Sequence, residues 1–133
     1  MFLITGGAGF IGFHLTKKLL KNGHKVHIID NMNDFNYDSK IKYNRLDILK
    51  NNPNSKLLSF SKVDILDKKN TQELFRGVDT VIHLAYVNGT KFFYKKPFEI
   101  LDIAVNGLIN FLNFSKKRKV KNFYLASSSE VYQ

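Results

Sequence analysis

The sequence contains no cysteine, which excludes disulfide bonds, thiolate catalysis and zinc sites built on cysteine. It also lacks any apolar run near the roughly 20 residues that a membrane-spanning helix needs. Met1 stands directly before the first predicted strand and leaves no room for a secretion signal. These absences predict a cytoplasmic protein with no membrane partner and no metal site.

Acidic residues are fewer than basic ones. The chain has 11 aspartates and glutamates but 21 lysines and arginines, which gives a formal net charge of +10. Such a charge would fit a nucleic-acid binder, which is the weaker alternative because the lysines are scattered. Their densest run, Lys116-Lys117-Arg118-Lys119, falls at the end of a predicted helix, where cations suit the helix dipole. We therefore predict a solvated, lysine-rich surface and no nucleic-acid partner.

The segment Thr5–Gly12 carries the pattern G-x-G-x-x-G at Gly7, Gly9 and Gly12. Apolar residues before it predict a buried strand, and apolar side chains at i, i+4 and i+8 from Ile11 predict a helix behind it. Gly7 allows a tight turn, Gly9 lets a diphosphate approach the backbone, and Gly12 lets the helix pack closely on the strand. In this context we favour a dinucleotide-binding turn over a plain glycine turn.

An acidic residue, Asp30, ends the second predicted strand. It follows Gly12 at close to the spacing of about 20 residues at which a carboxylate meets the adenosine ribose. A carboxylate there accepts hydrogen bonds from both ribose hydroxyls and repels a 2′-phosphate, so NAD is favoured over NADP; the alternative is an acidic turn residue. Asp64 ends the third strand, where it would accept from the adenine amino group, and a simple strand-end aspartate is an almost equal alternative.

The apolar pattern predicts alternating strands and helices in one globular domain of 133 residues. The predicted strands are Phe2–Ile4, Lys25–Ile29, Leu57–Val63, Val78–Ala85 and Phe123–Ser127. The predicted helices are Phe10–Lys21, Ile41–Leu49, a short helix capped by Asp67 and running through Phe75, and Phe98–Phe114. This alternation implies right-handed βαβ units. The fold class is therefore α/β: a Rossmann-like, doubly wound parallel sheet, truncated after its fifth strand.

Ligands of open α/β sheets lie outside the carboxyl ends of the strands, at the point where the strand order reverses. The glycine turn, Asp30, Asp64, Ala85 and Ser127–Ser129 all fall at such ends. We therefore expect these residues, which are far apart in the chain, to lie around one binding site.

Six ordered motifs make the chain similar to the N-terminal half of an extended short-chain dehydrogenase/reductase, in the NAD-dependent epimerase/dehydratase family that acts on nucleotide sugars. The motifs are Thr5-Gly-Gly-Ala-Gly-Phe-Ile-Gly12, Asp30-Asn31, Asp64-Ile65, His83-Leu84-Ala85, Asn106-Gly107 and Ser127-Ser128-Ser129-Glu130-Val131-Tyr132. The stretch from Asp30 to Asp38 is similar to that of uronic-acid 4-epimerases. Glu130-Val131-Tyr132 is instead similar to the dehydratase and decarboxylase branches, so the substrate stays open.

The resemblance implies a cofactor role for each matched position. The implied residues are Gly6, Gly7, Gly9, Phe10, Ile11 and Gly12 for the diphosphate, Asp30 and Asn31 for the adenosine ribose, Asp64 and Ile65 for the adenine, and Leu84, Ala85 and Tyr86 for the wall beside the ribose and nicotinamide. Asn106 would hydrogen-bond on the cofactor side from the middle of a helix. The alternative for Asn106 is a polar helix residue that faces solvent.

The resemblance also implies catalytic positions after the fifth strand. The hydroxyl of Ser128 would bond the sugar oxygen that is oxidised. Ser129 stands where dehydratases carry an Asp acid, and Glu130 stands where they carry a Glu base. Because the Asp is absent, simple 4,6-dehydration is disfavoured. The alternative for these serines is an ordinary serine-rich turn after a strand.

Several positions depart from the family pattern. Tyr86 and Phe13 replace smaller residues, and Gln133 replaces a glycine. No tyrosine has a lysine four residues on, although family chemistry needs a Tyr-x-x-x-Lys pair to take the hydroxyl proton during hydride transfer. That pair, the remaining strands and the sugar-binding lobe would lie beyond Gln133.

Residues 1–133 are therefore expected to be the NAD-binding Rossmann domain, in part, of a nucleotide-sugar epimerase, dehydratase or decarboxylase that works through a keto-sugar intermediate. The chain alone would bind NAD weakly and turn over no sugar. The alternative is a stand-alone NAD-binding sensor or scaffold module without catalysis. The resemblance further implies homodimerisation through the Phe98–Phe114 helix.

Overall fold

The computed structural model describes residues 1–87 and 89–127. It contains one sheet of five parallel strands in the order β3-β2-β1-β4-β5. The strands are β1 (Phe2–Thr5), β2 (Val26–Asp30), β3 (Leu58–Lys62), β4 (Thr80–His83) and β5 (Asn122–Leu125). The chain starts in the middle of the sheet, adds two strands on one side, and then returns to add two on the other. The predicted doubly wound α/β fold is confirmed.

Helices connect the strands. They are α1 (Phe10–Lys21), α2 (Ser39–Lys50), α3 (Lys68–Glu73), α4 (Thr90–Lys95), α5 (Pro97–Leu101) and α6 (Leu108–Lys117), with a 3-10 turn at Ser55–Leu57 and a π-helical segment at Asp102–Gly107. The predicted helix Phe98–Phe114 is thus α5, the π segment and α6 in succession, while α4 was not predicted. Across residues 1–87 and 89–127, every helix is too short or too polar to cross a lipid bilayer.

Both faces of the central strands are buried, because consecutive side chains point to opposite helix layers. One layer packs Phe75, Phe111 and Phe114 against Leu3, Ile29 and Val81. The other layer packs Phe13, Leu20, Leu46 and Leu49 against Ile4, Val26 and Ile28. The long helix therefore covers one face of the sheet, and α1 and α2 cover the other.

Local signals at the helix ends agree with the sequence. Asp67 caps α3 by accepting a hydrogen bond from the Asn70 amide at 3.1 Å, and Pro97 occupies the first turn of α5.

The apolar repeat assigned to α1 is wrong at its first position. Ile11 is 63% exposed, because α1 turns Phe13 and its neighbours to the sheet and leaves its first turn at the edge where the strands end.

Candidate dinucleotide-binding groove

An open groove with a volume of about 760 Å³ runs along the carboxyl ends of the strands, within the size range of about 300–1,000 Å³ typical of ligand sites. Every predicted cofactor-binding residue lines it except Gly7 and Asn106, and Ser127 lines it as well. The predicted catalytic residues Ser128, Ser129 and Glu130 lie outside the described residues. The structure therefore gathers residues from five strand ends around one space.

The glycine turn packs too tightly for side chains. A Cβ on Gly12 would lie 2.5 Å from the Gly6 oxygen, and one on Gly7 would lie 2.5 Å from the Ile28 Cβ. Gly7 therefore serves the packing of the turn on β2 and does not line the groove. Gly6 adopts a φ of +66°, and its carbonyl accepts from the Gly9 amide at 2.9 Å.

Gly9 sits at the N-cap of α1 and supplies no side chain to cap the helix. A Cβ there would lie 2.9 Å from the Gly6 oxygen, so this part of the backbone stays bare on the groove side. The helix dipole and the amides of its first turn favour an anion at such a position. A diphosphate group fits these features.

The carboxylate of Asp30 is buried and accepts hydrogen bonds from three other residues. Its Oδ2 accepts from the Ala8 amide at 3.3 Å, and its Oδ1 accepts from the Met32 amide and the Lys42 ammonium, both at 2.9 Å. Lys42 is buried as well and reaches Asn33 Oδ1 at 3.4 Å. No local pattern distinguishes Lys42 from the other lysines, because its burial depends on where α2 packs.

A second basic residue of α2, Arg45, reaches the glycine turn. Its Nη1 donates to the Ala8 carbonyl at 3.3 Å. Its guanidinium carbon lies 5.0 Å from the ring centre of Tyr37 and 5.8 Å from that of Phe10, which is within cation–π range. Arg45 and Tyr37 were not predicted as site residues, and both stand beside the predicted diphosphate and ribose positions.

Asn31 and Asp64, predicted as separate ribose and adenine contacts, lie side by side. Asn31 Nδ2 donates to Asp64 Oδ2 at 2.8 Å. The next residue, Ile65, is buried under the long helix, where a Cβ on Gly107 would lie 2.4 Å from the Ile65 Cδ1. Asn110 of the same helix donates to the Ile65 carbonyl at 3.2 Å, which fixes this floor of the groove.

The structure does not bring Asn106 to the groove. Its side chain is exposed and donates to Asp102 Oδ1, one turn earlier on the helix. The residues of this helix that line the groove are Ile103, Ala104 and Leu108. The alternative interpretation of Asn106, a polar helix residue that faces solvent, is the one that agrees with its position.

Thr5 and His83 join the glycine turn to the wall that follows β4. The Thr5 Oγ1 accepts from the amides of Leu84 at 3.1 Å and Ala85 at 3.0 Å. With both lone pairs used, its hydroxyl proton goes to His83 Nδ1 at 3.1 Å. The imidazole is therefore neutral with its proton on Nε2, and burial lowers the pKa of His83 to about 4.

This buried histidine predicts an acid-sensitive fold. In the unfolded chain His83 takes up a proton near its ordinary pKa of 6.5, whereas in the folded chain its pKa is about 4. Between these values the unfolded chain binds more protons, so the free energy of unfolding falls as pH decreases, by about 3 kcal/mol in all from this residue. Urea unfolding followed by circular dichroism at several pH values would measure the fall.

The matched variants are His83→Asn, which keeps an acceptor for Thr5, and His24→Asn at an exposed position. Between pH 6.5 and 4, the free energy of unfolding of the His83 variant should lose most of the decrease that His83 causes. The His24 variant should show the same decrease as the unsubstituted chain. Burial also lowers the pKa of His27, and both variants retain that contribution. An equal pH dependence in the two variants would contradict the assignment.

The strand order, the glycine turn at a helix N-terminus and the carboxylate at the end of β2 define a Rossmann-type dinucleotide-binding domain. Comparison with known proteins then gives the family. The family described as GDP-mannose 4,6 dehydratase matches residues 3–132, and the chain belongs to it. The resemblance to NAD-dependent epimerases and dehydratases of nucleotide sugars is confirmed.

Two curated relatives illustrate the range of reactions. A UDP-N-acetyl-alpha-D-glucosaminuronate decarboxylase from Bacillus cytotoxicus is 41% identical over 98% of this chain and 37% of its own length. A UDP-glucuronate 4-epimerase from Thermodesulfobacterium geofontis is 38% identical over 98% of this chain and 40% of its own. The chain thus spans about two-fifths of the length of these relatives.

A solved structure supports the same conclusion. The UDP-glucuronic acid 4-epimerase from Bacillus cereus, crystallised with UDP-glucuronic acid and NAD, matches with a TM-score of 0.86 and 31% identity. The match covers 99% of this chain and 41% of that one. A five-stranded portion of an NAD-containing epimerase therefore has the architecture described above.

Proposed function

We propose that residues 1–133 form the NAD-binding domain of a nucleotide-sugar epimerase, dehydratase or decarboxylase. The observation that carries the proposal is the single groove in which the bare glycine turn faces Asp30, Asn31 and Asp64. The solved relatives that hold NAD support the choice of cofactor. We also propose a cytoplasmic location, which suits a cysteine-free chain because it needs no oxidising compartment.

Each part of the groove suits one part of the cofactor. The turn from Gly6 to Gly12, with Phe10 and Ile11, would bind the diphosphate. Asp30 and Asn31 would hold the adenosine ribose, and Asp64 and Ile65 the adenine. Leu84, Ala85 and Tyr86 would form the wall beside the nicotinamide ribose.

The hydrogen bonds that Asp30 already accepts limit how many ribose hydroxyls it can bind. Ionised carboxylates offer about four lone-pair sites, and the contacts of Ala8, Met32 and Lys42 use three of them. One site on Oδ2 remains for the ribose. We therefore infer that Asp30 accepts from one ribose hydroxyl and not from both, so that a neighbouring residue must serve the other.

NAD, when bound, supplies the hydride acceptor for oxidation of a sugar carbon. The chain's own residues hold and orient it. Ser128 is proposed to bond the sugar oxygen, with Ser129 and Glu130 as the following acid–base positions. The proposal for them is supported by Ser127, the preceding residue, which lines the groove. No tyrosine of the chain has a lysine four residues on, so the 133-residue chain should turn over no sugar.

Titration of the chain with NAD in a calorimeter tests the proposal. We expect saturable binding of one NAD per chain and no turnover of UDP-glucuronic acid. Absence of saturable binding to any nicotinamide dinucleotide at millimolar concentration would overturn the proposed function. Measurable epimerisation or decarboxylation by the pure chain would overturn the assignment of an incomplete catalytic set.

We further propose that the chain forms a homodimer through the Phe98–Phe114 helix. An exposed apolar stripe runs along that helix with spacings of three and four residues. It consists of Leu101, Val105, Ile109 and Leu112. These residues lie on the side away from the buried Ile100, Ile103, Phe111 and Phe114, and exposed apolar stripes of this kind mark protein–protein contacts.

Sedimentation velocity of two glutamate variants tests this interface. Ile109 in the stripe and Ile48 on α2 are each 46% exposed, so the same substitution is matched in chemistry and exposure. Ile109→Glu should shift the chain from dimer to monomer, because a buried unpaired charge costs several kcal/mol. Ile48→Glu should leave the dimer intact. A monomeric unsubstituted chain would contradict the proposal.

A further inference from the structure

The positive charge of the chain is concentrated at the edge of the sheet opposite the groove. Four segments run from the end of a helix to the start of the next strand there: 21–25, 50–57, 76–79 and 116–121. We call these segments the basal edge. They contain ten of the 21 lysines and arginines but only one of the 11 acidic residues, Asp79. The fold therefore gathers cations that are scattered along the sequence.

Backbone hydrogen bonds show that segments of the basal edge are neighbours in space. The Phe2 amide donates to the Lys25 carbonyl at 2.9 Å, and the Lys121 amide donates to the Asp79 carbonyl at 2.9 Å. The Asp79 amide donates to the Met1 carbonyl at 3.0 Å, which joins the two pairs. Because neighbouring strands lie about 4.8 Å apart, the five strand starts span about 20 Å. The basal edge is thus one continuous surface.

Most cations of the basal edge lack an acidic partner. All ten are exposed. Three of them form salt bridges, which are Arg76–Glu73, Arg118–Glu73 and Lys50–Asp47. Among the residues that the structure describes, the other seven, all lysines, form none. The carboxylate of Asp79 is itself paired with the Met1 ammonium, so it does not neutralise the lysines.

The helix dipole accounts for only part of this charge. Cations in the last turn of a helix suit its dipole, and this position is held by Lys21, Lys50, Lys116 and Lys117. The dipole acts only within that last turn. It therefore gives no reason for the lysines that lie beyond the ends of the α-helices, which are Lys25, Lys56, Lys119 and Lys121.

Lys119 occupies a backbone position that usually belongs to glycine. It follows the C-cap of α6 and has a φ of +54°. Gly23 stands at the corresponding position after α1, with a φ of +77°. Side chains other than glycine are strained in this left-handed conformation. The chain therefore carries a lysine where glycine would be more stable, which supports a use for its charge.

We propose that the basal edge binds the phosphate backbone of double-stranded DNA without selecting its sequence. Eight of its ten cations are lysines, and an ammonium group binds phosphate as a compact point charge. Segments that join a helix to a strand offer no helix to enter the major groove, so the contacts are with phosphates. The opposite edge would repel the same backbone, because it carries Asp30, Asp34, Asp38, Asp64 and Asp67.

The side chains of the basal edge favour a DNA duplex over other polyanions. Single strands are bound by aromatic rings on which bases stack, and membranes are bound by apolar side chains that insert. None of the large exposed apolar side chains among the described residues lies in the four segments, and the ring of His24 packs against Phe2. Double-stranded RNA is recognised partly through its 2′-hydroxyls, for which ammonium groups offer no acceptor.

Fluorescence anisotropy of a labelled DNA duplex of about 20 base pairs, at several salt concentrations, tests the proposal. The logarithm of the association constant should fall linearly with that of the salt concentration, with a slope of about −4 to −6 if most of the seven lysines without salt bridges contact phosphates. Duplexes of unrelated sequence should bind equally well. No binding at about 50 mM salt would overturn the proposal.

Two triple variants that lose the same charge locate the site. Lys117→Gln with Lys119→Gln and Lys121→Gln removes three cations of the basal edge. This variant should bind the duplex about ten- to a hundredfold more weakly at about 0.1 M salt, and its salt slope should be smaller by about 3. The control combines Lys40→Gln, Lys68→Gln and Lys91→Gln, which are exposed positions near helix starts at the opposite edge. Its affinity should stay within about threefold.

A second set of basal lysines guards against a local effect of the first. Lys25→Gln with Lys56→Gln, in two other segments of the edge, should weaken DNA binding and reduce the salt slope by about 2. Saturating NAD should leave DNA binding unchanged, because the groove lies at the other edge of the sheet.

Three further outcomes would overturn the proposal. These are displacement of the duplex by NAD, equal weakening by the two triple variants, and tighter binding to phosphatidylglycerol vesicles or to an RNA duplex than to DNA. The proposed function is tested by NAD titration alone, so the failure of either proposal leaves the other standing.

Discussion

Replacing Gly12 with alanine is expected to abolish detectable NAD binding, with a loss of affinity on the order of a hundredfold or more. A Cβ at this position would lie 2.5 Å from the Gly6 oxygen and 2.6 Å from the Gly7 Cα. Both neighbours are backbone atoms of the turn, so the clash cannot be relieved by rotating a side chain. The start of α1 must move off the turn, and the amides that would bind the diphosphate move with it.

The same substitution should lower the free energy of unfolding by about 1–3 kcal/mol, the usual cost of overpacking. Gly23→Ala is the matched control. Gly23 has open space around its Cα but a φ of +77°, so alanine there costs about 1–2 kcal/mol through backbone strain. Gly23 lies outside the groove and its substitution should leave NAD affinity unchanged. A folded Gly12→Ala chain with unaltered NAD affinity would contradict the role of the turn.

The second large effect is expected at the buried ion pair of Asp30 and Lys42, whose side chains are 5% and 9% exposed. Asp30→Asn or Lys42→Met alone leaves one charge buried without its partner, which should cost about 3–5 kcal/mol of folding free energy. The double variant removes both charges. It should be more stable than either single variant, because an ion pair replaced as a unit costs little.

A double-mutant cycle by urea unfolding measures this coupling. The exposed pair of Glu73 and Arg76, with its 2.7 Å contact, is the control, and its coupling should not exceed about 1 kcal/mol. A double variant as unstable as the sum of the two single variants would show that Asp30 and Lys42 act independently.

Local patterns were sufficient for most of the fold. The glycine turn, the strand ending in Asp30 and the capped start of α3 each depend on residues that are neighbours in sequence, and each is found where it was predicted. Parallel order then follows from the alternation of strands and helices. The side-by-side placement of Asn31 and Asp64 follows from the pairing of β2 with β3.

The features that sequence reasoning missed depend on packing between distant segments. The contact of Thr5 with His83 joins strands separated by 78 positions, and no local pattern records it. The cofactor role expected for Asn106 came from the family motif and not from a helical pattern. In the structure its exposed side chain donates to Asp102, one turn earlier on the helix.

The strand order also sets an order of assembly during synthesis. β1 pairs with β2 within the first thirty or so residues of the chain, but it acquires its other neighbour only when β4 follows, with Phe2 opposite Thr80. Pairings of such long sequence separation form late, because closing the intervening loop costs entropy first. The glycine turn can therefore form early on the ribosome, while its opposite wall at Leu84 and Ala85 is added only after most of the chain has emerged.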